Sequence, residues 1–157
     1  MPNDFNAEDI LEMAVKIEQN GAVFYRNAAG HVTDDEQKAF LLDLAKMEDA
    51  HEETFMAMKS ELKKADTVST TFDPDNENVL YLKALVDSKV FFKKEEPGKD
   101  LNTILSCAIQ AEKDSIAFYL GMKELTPKNL GRSKIDDIIK EEMKHIRLLA
   151  GRLSDCT

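Results

Sequence analysis

No stretch of this chain approaches the ~20 consecutive apolar residues that a bilayer-crossing helix needs. The N-terminal MPNDFNAEDI lacks the basic and apolar regions of a secretory signal, so the cytoplasm is the expected compartment. Basic residues are in deficit, 21 Lys and Arg against 30 Asp and Glu, for a net charge of -9. With no basic stripe to neutralise phosphates, nucleic acid is excluded as the main partner, and so is an anionic membrane surface. Cysteine occurs twice, at Cys107 and Cys156, and never as CxxC, which removes thiolate metal knuckles and dithiol redox motifs. Both thiols are expected reduced, with Cys107 partly buried and Cys156 in a loose tail. Histidine is scarce, three in 157 residues, and two of the three fall into a pattern.

That pattern is a repeat. Glu18, Glu48 and His51 recur as Glu112, Glu142 and His145, each 94 positions later. Each first Glu precedes its second by 30 residues, and each second Glu precedes its His by three. The aromatic pair Phe24-Tyr25 recurs as Phe118-Tyr119 at the same offset. The third histidine, His31, lies outside the repeat and is expected in solvent.

The periodicity predicts an all-α chain of one domain, residues 1–157, large enough to bury a core. Four long helices are expected at about 7–30, 34–64, 100–125 and 133–153. Asn6 and Thr33 are expected as N-caps of the first two, with Gly30 and Thr126-Pro127 as stops. Short turns make each pair an antiparallel hairpin. Residues 65–99 form a crossover, expected to carry one short amphipathic helix whose Leu80, Leu82, Leu85, Val86 and Phe91 cover the bundle.

Each helix has an apolar seam interrupted once. The first reads Leu11, Ala14, Glu18, Gly21, Tyr25, Ala28, and the second Leu41, Leu44, Glu48, His51, Phe55, Met58, Leu62. The third reads Leu101, Leu105, Ala108, Glu112, Ser115, Tyr119, Met122, and the fourth Ile135, Ile138, Glu142, His145, Leu149. Glu18 and Glu48 lie 15 residues either side of Thr33, and Glu112 and Glu142 lie 15 either side of Pro127. At about 1.5 Å per residue, both pairs sit at matching heights, roughly 20 Å from their turns. Residues three apart share a helical face, so each Glu-x-x-His points one way. Four carboxylates facing one another in an apolar core cost several kcal/mol unless compensated. Two divalent cations compensate them, with two neutral imidazoles completing the donor set. Carboxylate and imidazole donors suit iron or manganese better than structural zinc, with zinc as a substitute where iron is lacking. Glu48 and Glu142 are the expected bridging ligands, Glu18 and Glu112 the terminal ones. Tyr25 and Tyr119 are expected to hydrogen-bond ligand carboxylates, and Glu141 to orient a ligand histidine. Met47 holds the position equivalent to Glu141 and offers no carboxylate, so the two metal positions are expected to differ.

One Glu from each of two helices plus Glu-x-x-His from each of two others resembles the ferritin-like four-helix bundle of two antiparallel hairpins joined by a long crossover. Within that superfamily the chain is most similar to the erythrin domain of rubrerythrins. The similar pieces are KIEQNGAVFYRNAA, KMEDAHEETF, AEKDSIAFYLGMKEL and EEMKHIRLL. The resemblance implies two iron ions held by Glu18, Glu48, His51, Glu112, Glu142 and His145. It also implies a homodimer and a role in reducing hydrogen peroxide. Three departures stand out. The two CxxC motifs of the rubredoxin domain typical of rubrerythrins do not occur in these 157 residues. Ser115 stands where they carry an extra carboxylate. His51 stands where they usually have Glu, so both halves carry histidine, as in bacterioferritin.

The expected function is a di-iron oxidoreductase that reduces hydrogen peroxide with electrons from a separate electron-transfer protein. Dioxygen is the other candidate oxidant. The alternatives are a ferroxidase that oxidises or sequesters ferrous iron, and an oxygenase of an organic substrate.

Overall fold

A computed structural model describes residues 7–64, 77–87, 100–126 and 128–155. Its regular elements are helices: α1 (Ala7–His31), α2 (Asp35–Lys64), α3 (Glu77–Asp87), α4 (Leu101–Leu125) and α5 (Arg132–Asp155). A 3₁₀ turn, Lys128–Leu130, precedes α5. The long helices form two hairpins, α1 with α2 and α4 with α5, and α3 lies on α4. This is the ferritin-like bundle expected from the repeat. No helix among the described residues is long and apolar enough to cross a membrane.

The seam residues form the core. Leu41, Leu44, Phe55, Leu105, Ala108, Ile135 and Leu149 are almost wholly buried, and only Leu101, at the start of α4, is half-buried. Each fully buried Leu, Ile or Phe stabilises the fold by about 1.5–3 kcal/mol relative to exposure. Within the hairpins, Lys59 meets Glu12 at 2.6 Å and Lys123 meets Asp136 at 2.8 Å, with Arg26 paired to Asp49. These pairs are solvated and contribute about 0–1 kcal/mol each. Packing, not surface charge, holds each hairpin together.

The helix ends correct four local expectations. α1 continues one residue past Gly30. α2 is capped by Asp34 rather than Thr33, since the Asp34 carboxylate accepts from the Gln37 N–H at 2.9 Å. α4 begins after Asp100, whose carboxylate accepts from the Thr103 N–H at 2.9 Å. α5 starts at Arg132 after Gly131, whose φ of 106° favours a residue without Cβ. An added Cβ there would also stand 2.9 Å from the Met58 methyl.

The crossover helix covers the bundle with two of the residues expected to do so, and one turns outward. Leu82 is fully buried and Leu85 packs against the core, but Leu80 is 53% exposed. The Val86 side chain, Phe91, Asn6, Pro127 and Cys156 lie outside the described residues. Gly121 sets how closely α3 approaches, because a Cβ there would meet Leu82 and Tyr81 at 2.9 Å. The Tyr81 hydroxyl then donates to the Ala117 carbonyl at 2.9 Å. Cys107 is exposed and free, against the expectation of partial burial, because it faces away from the α4 seam.

Candidate metal centre

Each seam carries its acidic residue to mid-bundle. Glu18, Glu112, Glu142 and His145 have no exposed surface, Glu48 is 1% exposed and His51 3%. The structure brings all six together in two overlapping groups. One is Glu18, Glu48, His51 and Glu142, the other Glu48, Glu112, Glu142 and His145, and within each the donor atoms lie within 4.8 Å of one another. Glu48 and Glu142 belong to both groups. The His51 and His145 rings stack with centroids 5.9 Å apart.

Both histidines present the same nitrogen to the carboxylates. His51 Nδ1 is 3.2 Å from Glu142 Oε1 and 3.5 Å from Glu18 Oε2. His145 Nδ1 is 3.0 Å from Glu142 Oε2 and 3.4 Å from both Glu48 Oε1 and Glu112 Oε1. Both Nε2 atoms therefore turn outward. That of His51 meets the carboxylate of Glu141, whose side chain is 57% exposed. That of His145 meets the Met47 sulfur at 3.0 Å.

The tyrosines cross between hairpins. Tyr25 on α1 donates to Glu112 Oε1 on α4 at 2.6 Å, and Tyr119 on α4 donates to Glu18 Oε1 on α1 at 2.5 Å. Both rings are fully buried, with Tyr119 packed on Phe55 at 5.2 Å. Ser115 spends its hydroxyl on its own helix, donating to the Ala111 carbonyl at 3.0 Å. His31 ends α1 in solvent, away from the cluster. An apolar cavity at the end of the bundle is lined by Leu11, Met58, Leu62, Met122 and Leu125 among others, and by none of the six. Spacing alone gave no sign that Met47 touches His145, since that contact joins opposite hairpins.

Burial, followed by the charges of Glu142, Glu18 and Glu112, pushes the Glu48 carboxyl well above the ordinary range. Burial, with Glu112 and Glu18, does the same to Glu142. Glu18 is also pushed up by burial, but contact with Glu48, His51 and the Tyr119 hydroxyl outweighs this and leaves it below its usual value. Glu112 ends below its usual value in the same way, through His145, Glu142 and Tyr25. Burial lowers His51, yet Glu18 and Glu141 raise it further, so it ends above its ordinary value. Both tyrosines are held well above theirs by burial and the nearby carboxylates, which keeps them neutral donors.

Five buried polar atoms in this cluster have no hydrogen-bond partner: Glu18 Oε2, Glu48 Oε1, Glu112 Oε2, Glu142 Oε2 and His145 Nδ1. Each such orphan costs about 1–3 kcal/mol or more. All five are good metal donors and all converge, so the residues present fit a pair of divalent cations.

The family model described as Rubrerythrin matches residues 9–153. The chain is similar to a protein from Thermotoga maritima described as a ferritin-like diiron-carboxylate protein. The two share 28% sequence identity over 97% of each chain, and their structures agree with a TM-score of 0.68. No curated protein matches.

Proposed function

Since the chain belongs to the rubrerythrin family, we propose that it is a di-iron oxidoreductase that reduces hydrogen peroxide with electrons from a separate donor protein. The observation that carries this reading is the pair of overlapping donor groups sharing Glu48 and Glu142. Glu18, Glu48, His51 and Glu142 would hold one iron, and Glu48, Glu112, Glu142 and His145 the other. When bound, the ferrous pair supplies the two electrons that cleaving an O–O bond requires.

The protein's own residues prepare the site. Glu141 accepts at His51 Nε2, which keeps that ring's proton outward and its Nδ1 lone pair toward the carboxylates. Tyr25 and Tyr119 each fix one oxygen of a terminal carboxylate and leave the other free to ligate. The four positive charges of two divalent cations would balance four carboxylates and replace the protons that Glu48 and Glu142 otherwise retain. The apolar seams above and below the cluster limit access by water and by competing reductants.

A second reading is a ferroxidase, with dioxygen as oxidant. It is favoured by histidine in both halves and by a Ser115 hydroxyl committed to its own helix. Anaerobic ferrous titration followed by rapid mixing with peroxide or with air separates the two. Saturation at two irons per chain with faster oxidation by peroxide supports the peroxidase. Preference for dioxygen, with uptake beyond two irons, supports the ferroxidase. Failure to bind ferrous iron at all would sink both.

A further inference from the structure

The two histidines differ in one neighbour. Each Nδ1 faces the carboxylates, so a ring that ligates a metal there carries its proton on Nε2, which then needs an acceptor. His51 has the Glu141 carboxylate, a strong acceptor. His145 has the Met47 thioether at 3.0 Å, a weak one. Positions 47 and 141 are equivalent in the 94-residue repeat, so the difference lies in residue type at matched places. Access differs from the inner cluster too: His145 is fully buried, whereas Met47 is 37% exposed. The Met47 side chain thus reaches solvent, while its sulfur touches the buried ring.

We propose that Met47 is a peroxide-responsive modification site, whose conversion to the sulfoxide gives His145 a strong acceptor and tightens metal binding at the His145 position. The sulfur lone pair attacks one oxygen of hydrogen peroxide, forming the S–O bond as the O–O bond breaks. Sulfur loses two electrons. The departing oxygen leaves as hydroxide and takes the proton from the transferred oxygen to become water. The sulfoxide oxygen is a far better acceptor than the thioether it replaces, and rotation about the flexible Met47 side-chain bonds turns it to the ring N–H. An imidazole whose outer N–H is held by a strong acceptor is a better donor at its other nitrogen. Oxidation thereby gives the His145 position the kind of support that the His51 position already has. The inference rests on the metal-site reading and adds to it a response to the oxidant itself.

The test uses the metal-free full-length chain, treated with hydrogen peroxide, desalted and checked by peptide mass for one added oxygen at Met47. Met56 and Met143, each 52% exposed, serve as comparators. Cobalt(II) is then titrated and its visible absorption followed. Oxidised wild type should show the weaker of two binding steps tightened about tenfold, the scale on which such supporting hydrogen bonds act. Met47→Leu, which keeps every other oxidisable residue, should show no change on the same treatment. Met47→Gln, with an amide oxygen as acceptor, should show the tighter step without peroxide. The proposal is overturned by any of four results: Met47 escaping oxidation while Met56 and Met143 are oxidised, oxidised Met47 with an unmoved weaker step, a peroxide response retained in Met47→Leu, or Met47→Gln binding as weakly as wild type. Absence of cobalt binding in every variant would instead overturn the metal site itself.

Discussion

The Tyr25 hydroxyl lies 2.6 Å from Glu112 Oε1, a fully buried hydrogen bond from α1 to α4 across the junction of the two hairpins. Its counterpart from Tyr119 to Glu18 runs the opposite way at 2.5 Å. Together these bonds make the metal cluster part of what joins the hairpins.

Tyr25→Phe removes the donor and leaves a buried carboxylate oxygen with less support. The metal-free protein should lose about 1.5–3 kcal/mol, the range for hydrogen bonds to charged groups. Tyr119→Phe should cost a similar amount. Thermal denaturation of the two single variants and the double variant measures this. A loss under about 0.5 kcal/mol in both singles would mean that the bonds do not bind the hairpins together.

Glu142→Gln should move metal binding and metal-free stability in opposite directions. The amide cannot supply an anionic ligand to either donor group, so metal content should fall from two ions per chain to one or fewer. The same change removes a buried carboxyl crowded by Glu112 and Glu18, so the metal-free protein should melt at the same temperature or higher near neutral pH. Metal analysis and melting curves on one sample check both directions. Two ions retained per chain would remove Glu142 from the ligand set.

The metal-free protein should also lose stability as pH rises from about 5 to about 8. Glu48 and Glu142 hold their protons above the ordinary carboxylate range. Their contribution is complete below that range and disappears as pH passes through the raised values. His51, also raised, acts in the same direction from its ordinary value upward. Glu18 and Glu112 are lowered, so their contribution is lost only toward acid. Loading with zinc should flatten the alkaline decline, because cations replace the protons, and zinc affinity should rise with pH. A metal-free melting temperature that climbs between pH 5 and pH 8 contradicts this account.

Gly121→Ala should displace α3 without unfolding the bundle. The new methyl would stand 2.9 Å from Leu82 and the Tyr81 ring, and overpacking of this kind typically costs about 1–3 kcal/mol. Better helix propensity in α4 returns up to about 1 kcal/mol of it. Hydrogen exchange should therefore accelerate in residues 77–87 and hold steady in α1, α2 and α5. Unchanged exchange across 77–87 would show that Tyr81 and Leu82 move aside freely.

Much of this structure could be read from the chain because its signals are periodic. Glu18, Glu48, Glu112 and Glu142 interrupt apolar seams at matched heights, and a seam must face inward whatever its partner. The outward turn of Leu80 in α3 could not be read this way. Val79, Leu80, Tyr81 and Leu82 run consecutively, and the choice of Leu82 over Leu80 as the buried residue follows from where Gly121 lets the helix approach. The cap at Asp34 in place of Thr33 was a choice between adjacent good cappers. That Glu141 would support a histidine and Met47 would not was legible from the repeat, but which ring each one meets was not. Glu141 meets His51 and Met47 meets His145 only once the hairpins have docked.

The exchange of partners between hairpins makes the site nearly two-fold symmetric. Each half of the repeat supplies three of the six clustered residues, and each donor group takes one carboxylate from the other half. A hairpin on its own would need a second copy to finish either group. The chain is therefore equivalent to a pair of like subunits joined end to end. Identical subunits must carry the same residue at matched places, but a fused pair is free to diverge. Glu141 beside one ring and Met47 beside the other is an asymmetry that two identical subunits could not carry.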